Sequence, residues 1–318
     1  MHPPTLNILL RAEVSDGLLA RLAALAPGSR ILTGKDLQDD PGLIAEADVC
    51  LGRLTAEQFS RAGRLKWLQC YSAGMDWAQN QAARSHPAVL TNARIHAAPI
   101  SEHVFGMLLM LAHRLHLAHE HKLAGRWQRP DIERVAVLEG KTLCVLGLGV
   151  IGRRCARLGK AFGMRVVGVR RSGRPTPNVA EVFTPERLHD ALAEADVVMN
   201  ILPGTGATAG MVDAAAFSAM KRGAVFLNAG RGGTVDTAAL VEALRQGQLA
   251  GACLDVTDPE PLPAGHPLWA MPNVLITAHY SGTHPGYDGK VEALFLDNLR
   301  RFLGGRPLRN VVDKQEGY

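Results

Sequence analysis

Three residues suited to proton and carboxylate chemistry each follow a run of strand-like residues. Arg231 follows residues 225–228, Glu260 follows 252–256, and His279 follows 274–277. Arginine keeps its charge at any relevant pH and grips a carboxylate with two parallel hydrogen bonds. A carboxylate beside an imidazole favours the protonated ring and fixes its orientation. An imidazolium facing a carbonyl oxygen can deliver the proton that must arrive as hydride reaches the carbon. Each residue alone fits an ordinary capping or surface role. Together, at the carboxyl ends of successive strands, they suit reduction of a 2-oxo acid, because that edge of an open α/β sheet is where ligands bind.

Such chemistry needs a hydride source, and residues 142–152, TLCVLGLGVIG, have the make-up to hold one. A strand-like run leads into Gly147, Gly149 and Gly152, and residues 153–162 read as a helix. Gly147 allows a tight turn, Gly149 lets the backbone approach a pyrophosphate, and Gly152 lets helix and strand pack closely. The helix start at Val150 and Ile151 offers free amides to phosphate. A NAD enzyme would place an acidic residue about 20 positions further on, to hold the ribose 2'-hydroxyl. Here the strand 165–169 runs into Arg170-Arg171-Ser172, with Arg174 following. Guanidinium groups there can hold a 2'-phosphate, so NADP(H) is the expected cofactor; a merely solvated basic turn would also admit NAD(H).

The elements that must carry these residues follow the rhythm of a parallel sheet. Residues 5–98 alternate strand-like runs (6–10, 31–32, 47–51 and 65–71) with helical patterns (16–26 and 55–62, the latter opened by an N-cap Thr55). The loop 71–76 after one strand is a candidate substrate wall, although a plain tight turn fits the same spacing. Residues 100–122 read as one long helix, with Val104, Leu108, Leu111, Leu115 and Leu117 on an apolar face. That face suggests a homodimer. Its histidines (103, 113, 116, 119 and 121) come without a metal-binding motif, and no metal is expected. Strands 196–202, 224–228 and 250–256, with helices 213–220 and 237–246, extend the pattern to about residue 280.

The composition sets limits on function. The chain has 318 residues, enough for two domains, and its 47% hydrophobic and 20% charged content is that of a globular protein. The net charge of +5 is spread along the chain without a basic stripe, which argues against nucleic acid and suits a site for small anions. The apolar run 104–112 is too short to span a bilayer, and no secretory signal opens the chain, so a cytoplasmic protein is expected. Five cysteines without a C-x-x-C pair read as buried thiols.

These features resemble the D-isomer-specific 2-hydroxyacid dehydrogenase family over nearly the whole chain. The matching motifs include Ser72-Ala73-Gly74-Met75-Asp76, Pro99-Ile100-Ser101-Glu102, the glycine turn and the segment from Leu202-Pro203 to Thr208. Further matches are Asn228-Ala229-Gly230-Arg231-Gly232, Asp255-Val256, Glu260-Pro261 and Thr277-Ala278-His279. The resemblance implies an α/β protein of two Rossmann-like, doubly wound domains. A flavodoxin-like substrate domain (1–98 with 285–318) would carry an inserted dinucleotide-binding domain (99–284). It also implies Arg231, Glu260 and His279 as the catalytic set, with Asp255 near the nicotinamide carboxamide. Leu202, Pro203, Thr208, Ala229, Gly230 and Gly282, together with Arg231 and His279, would line the cofactor. Arg53, Ser72, Ala73 and Gly74, with Arg231 and His279, would bind the substrate. Arg53, Tyr71, Trp127, Tyr280 and His284 are candidates for shaping its pocket. Two residues depart from the family pattern: Ala278 stands where a proline commonly precedes the histidine, and Arg170 replaces the acidic cofactor residue, as in NADPH-dependent glyoxylate and hydroxypyruvate reductases. The fold also resembles that of dinucleotide-sensing corepressors, which bind partners without turnover and remain the alternative.

Overall fold

A computed structural model describes residues 5–318. The chain forms two compact units, one running up to Ile95 and resuming over His284–Tyr318, the other comprising His96–Thr283. The boundaries expected at 98/99 and 284/285 differ from these by three residues and one.

The first unit holds a five-stranded sheet of β1 (Asn7–Leu10), β2 (Arg30–Thr33), β3 (Val49–Leu51), β4 (Trp67–Gln69) and β5 (Val89–Thr91). All pairings are parallel and the order is β2-β1-β3-β4-β5, the flavodoxin-like arrangement. β3 and β4 are buried at every position because both faces of the sheet are covered. The returning chain supplies part of that cover. Helix Tyr287–Leu303 buries Val291, Phe295, Leu296 and Leu299, and the Phe295 ring lies 5.1 Å from that of Trp67 on β4. Glu292 of this helix is buried and accepts from the Ser15 amide at 2.8 Å and the Ser15 hydroxyl at 2.6 Å.

The second unit holds seven parallel strands: β6 (Thr142–Leu146), β7 (Arg165–Val169), β8 (Glu181–Phe183), β9 (Val197–Asn200), β10 (Ala224–Asn228), β11 (Leu249–Leu254) and β12 (Val274–Ile276). Their order is β12-β11-β10-β9-β6-β7-β8. The first strand of the unit, β6, lies inside the sheet, and the winding reverses between β6 and β9. That switch point opens the crevice in which such sheets bind ligands. Two apolar clusters form the core. One holds Leu146, Phe183, Phe217 and Phe226, and the other Leu108, Val145, Met199 and Cys253.

The long helix expected over residues 100–122 is two helices, Ala97–Ala112 and Leu115–Leu123. Arg114 between them adopts the left-handed conformation, φ 57°. The Ala112 carbonyl, which a continuous helix would use internally, accepts instead from the Ala136 amide at 2.9 Å. The break falls where burial ends: the first helix buries seven residues, whereas the second buries none and leaves Leu115 exposed. Among the described residues no helix is long and apolar enough to cross a membrane.

Candidate active site

The glycine turn closes on itself. Gly147 has φ 95°, which favours glycine, and a Cβ there would meet the Ile201 carbonyl oxygen at 2.7 Å. A Cβ on Gly152 would lie 2.0 Å from the Gly147 oxygen, so helix Val150–Ala161 can sit against β6 only with glycine at this position. Gly149 is different. Its backbone is extended (φ −74°, ψ −159°), and a Cβ would meet nothing within 4 Å. The protein's own packing does not require glycine at this exposed position, whereas a phosphate pressed against the amides of Val150 and Ile151 would. The turn therefore fits a dinucleotide.

At the carboxyl end of β7, the Arg170 amide bonds the Phe183 carbonyl at 3.0 Å and its Nη1 donates to Thr176 Oγ1 at 3.3 Å. Arg171 and Ser172 follow on an exposed turn. Beyond β9, the Thr208 hydroxyl donates to the Pro203 carbonyl at 2.6 Å and accepts from the Thr205 amide at 3.0 Å. That hydroxyl closes the loop after Leu202. Gly230 packs on the same loop: a Cβ there would lie 2.6 Å from the Leu202 oxygen.

Glu260 and His279 meet. His279 Nδ1 donates to Glu260 Oε1 at 2.6 Å, with the two side chains 47% and 41% exposed, so the pair is reachable from solvent. Arg231, at the end of β10, is partly buried, and its Nη1 donates to the Gly230 carbonyl at 2.7 Å.

Asp255 is buried at the end of β11 with its carboxylate committed to the turn that carries His279. Oδ1 accepts from the Thr277 hydroxyl at 2.6 Å and the Tyr280 amide at 3.2 Å, and Oδ2 accepts from the Ser281 amide at 3.2 Å. The Asp255 carbonyl takes the His279 amide at 2.9 Å. His279 itself has φ 51°, a left-handed value that few non-glycine residues adopt. Asp255 thus holds from beneath a turn that the absence of a proline at 278 would otherwise loosen. The Thr277 oxygen also accepts from His103 Nε2 at 3.0 Å. Neither Thr277 nor His103 stood out as a support from spacing alone; a hydroxyl two residues before His279 was the available signal. Gly282 follows close to His96, whose ring a Cβ would meet at 3.1 Å.

In the first unit, Arg53 Nη2 donates to Ser72 Oγ at 3.0 Å, and its guanidinium lies 5.9 Å from the Trp77 ring centre. The Ser72 hydroxyl donates to the Gly74 carbonyl at 2.8 Å, and Asn92 Nδ2 donates to the Ala73 carbonyl at 2.8 Å. The amides of Ala73 and Gly74 bond no group among the described residues. Of the other pocket candidates, the Tyr71 carbonyl accepts from Tyr287, and burial pushes the Tyr71 phenol up to about 12. His284 Nε2 pairs with Lys290 at 2.8 Å, Tyr280 packs edge-on against His103, and Trp127 is fully exposed.

Residues 105–281 match the model of the NAD binding domain of D-isomer specific 2-hydroxyacid dehydrogenases. The chain belongs to that family. It is thus an oxidoreductase of the 2-hydroxyacid dehydrogenase type with a nicotinamide-dinucleotide-binding domain. A glyoxylate reductase of Aeropyrum pernix is 33% identical over 276 residues, covering 83% of this chain and 81% of the relative. A D-isomer specific 2-hydroxyacid dehydrogenase family protein of Aeromonas salmonicida superposes with a TM-score of 0.84 at 36% identity, over 98% of this chain and all of the other. An NADPH-dependent glyoxylate/hydroxypyruvate reductase of Sinorhizobium meliloti, solved with NADP and sulfate, does so with a TM-score of 0.82 at 28% identity, over 99% of this chain and all of the other.

Proposed function

We propose that the chain reduces a small 2-oxo acid of the glyoxylate or hydroxypyruvate kind to its D-2-hydroxy acid, with NADPH as the preferred reductant. The observation that carries this reading is the 2.6 Å contact between His279 and Glu260 on the edge of the sheet that also bears the glycine turn. The A. pernix and S. meliloti reductases support the substrate class, and the NADP of the latter supports the reductant.

NADPH, when bound, supplies the hydride that reaches the carbonyl carbon. Gly147, Gly149, Val150, Ile151 and Gly152 would hold its pyrophosphate, and Arg170, Arg171 and Ser172 its 2'-phosphate. Leu202, Pro203, Thr208, Ala229, Gly230 and Gly282 would line its site, with Asp255 toward the carboxamide. Arg231 grips the substrate carboxylate and so orients the adjacent carbonyl. His279 donates the proton from Nε2 to the carbonyl oxygen, which becomes the hydroxyl, and the partly exposed ring recovers its proton from solvent. Glu260 fixes the ring through Nδ1 and offsets its charge.

The test is the initial rate of NADPH oxidation with glyoxylate, hydroxypyruvate, pyruvate, phenylpyruvate and 2-oxoisocaproate, repeated with NADH. Turnover with NADPH well above NADH is expected. Tight NADPH binding without turnover on any acid would favour the corepressor-like role instead.

A homodimer completes the reading. Leu115, Leu123, Trp127, Ile132 and Val137 are all exposed within one stretch of chain, and helix Leu115–Leu123 buries no residue of its own. A helix of nine residues is marginal in water without a partner surface, and a second copy supplies it. Light scattering that gave a monomer at micromolar protein would refute the dimer.

A further inference from the structure

We propose that Asn200, Asn228 and Thr234 are positioning residues that set Arg231 for the substrate carboxylate, an inference that rests on the function proposed above. The three side chains are 0%, 2% and 0% exposed. They sit at the carboxyl ends of β9 and β10 and in the turn Gly232–Thr234. Polar groups at such depth are costly unless bonded, and these are bonded to one another and to the backbone around Arg231. Asn200 Nδ2 donates to Asn228 Oδ1 at 3.1 Å and to Thr234 Oγ1 at 2.7 Å. Asn228 Oδ1 also accepts from the Gly230 amide at 3.1 Å, and Asn228 Nδ2 donates to the Arg231 carbonyl at 3.3 Å. The Thr234 hydroxyl donates to that same carbonyl at 2.6 Å. Asn200 Oδ1 accepts from the Leu202 amide at 3.2 Å, which ties the neighbouring loop into the cluster.

Buried side chains therefore hold the Arg231–Gly232 peptide through the Arg231 carbonyl, and the Ala229–Gly230 peptide, one residue before Arg231, through the Gly230 amide. The flanking glycines remove the remaining slack. A Cβ on Gly230 would meet the Leu202 oxygen at 2.6 Å, and one on Gly232 the Thr257 oxygen at 1.9 Å. Packing alone does not call for this chemistry, because apolar side chains of similar volume would fill the same space at lower desolvation cost. What the hydrogen bonds add is direction, and the group they direct is the backbone that launches the Arg231 side chain.

Thr234→Val is the sharpest probe, since it keeps the shape and removes both bonds of the hydroxyl. In the full-length protein, kcat/KM for the best 2-oxo acid should fall by about tenfold or more, because a small misplacement of a binding group is costly. The NADPH dissociation constant should change by less than about threefold, and Thr234→Ser should restore kcat/KM to within about threefold, because it returns the hydroxyl. In an Arg231→Ala background the same substitution should change kcat/KM by less than about twofold, because its route of action is gone. If Thr234→Val does not yield folded protein, Asn228→Ser, which removes the other side-chain donor to the Arg231 carbonyl, takes its place in the same comparison. Wild-type kcat/KM in the folded variant, or an equal loss with and without Arg231, would make the cluster merely structural and overturn the proposal. Absence of turnover by the wild-type protein would overturn the function and this inference together. Wild-type turnover with an unaffected variant would overturn the inference alone.

Discussion

Gly149→Ala and Gly152→Ala separate the two duties of the glycine turn. At Gly149 the backbone angles suit any residue, and an added methyl meets no protein atom within 4 Å. Restricting the unfolded chain contributes about 0.4–1 kcal/mol in favour of alanine, and the helix N-cap preference for glycine opposes it by about 0.5 kcal/mol. The net is within about 0.5 kcal/mol, and at about 2–4 °C per kcal/mol for a unit of this size the Tm moves by about 2 °C at most. Binding should respond quite differently. A methyl on Gly149 holds the pyrophosphate away from the amides, and one lost hydrogen bond to a charged group costs about 1.5–3 kcal/mol. That corresponds to about a 10- to 150-fold rise in the NADPH dissociation constant. At Gly152 the new methyl would sit 2.0 Å from a backbone oxygen that cannot yield cheaply. Overpacking of this kind costs about 3 kcal/mol or more, a fall in Tm of about 6–12 °C. Calorimetry and a fluorescence titration with NADPH read both quantities. A Gly149→Ala protein that binds NADPH within about threefold of wild type would refute the assignment of this turn to the pyrophosphate.

His279→Ala should lower kcat by about 10²–10⁴-fold with NADPH binding intact; an unchanged kcat would remove His279 as the proton donor. Arg231→Ala should chiefly raise KM for the acid and lower kcat/KM, and losses confined to cofactor affinity would contradict its role. Arg170→Ala should weaken NADPH by about tenfold or more and spare NADH, because only the former carries a 2'-phosphate. Equal losses for both dinucleotides would point instead to the bond from Arg170 to Thr176. Burial pushes the thiols of Cys50, Cys144 and Cys155 up to about 12 and raises that of Cys253 as well. A thiol at that value is about 10⁻⁴ ionised at pH 8, so iodoacetamide should label none of these four in the native protein and all four after denaturation. A labelled Cys144 in the native state would contradict this, as mass spectrometry can establish.

The cofactor turn was legible because its signal is local. Three glycines between a strand and a helix need only their immediate neighbours to act. The succession of strands likewise located Arg231, Glu260 and His279 at strand ends, and the strand residues 224–228 coincide with β10 (Ala224–Asn228). Other elements lacked such a signal. β5 and β8 are three residues long and, unlike the equally short β3 and β4, are not buried throughout, so no longer apolar run marks them. Helix Tyr287–Leu303 could have been found from the spacing of Val291, Phe295 and Leu299, which recur every four residues on its buried face.

Sequence alone determined which residue types stand after which strands, and thereby the family and the class of chemistry, because composition and order along the chain are enough for both. Tertiary structure decided the rest. The helix ends at Ala112 because a distant amide, that of Ala136, takes its carbonyl. Glu260 reaches His279 across nineteen residues only because β11 and β12 are neighbours. The Asp255 carboxylate supports the His279 turn, and Asn200 bonds both Asn228 and Thr234 beside the Arg231 carbonyl, through contacts between segments far apart in the chain. Burial and hydrogen-bond direction depend on which segments meet in space, and no spacing along a single chain specifies that.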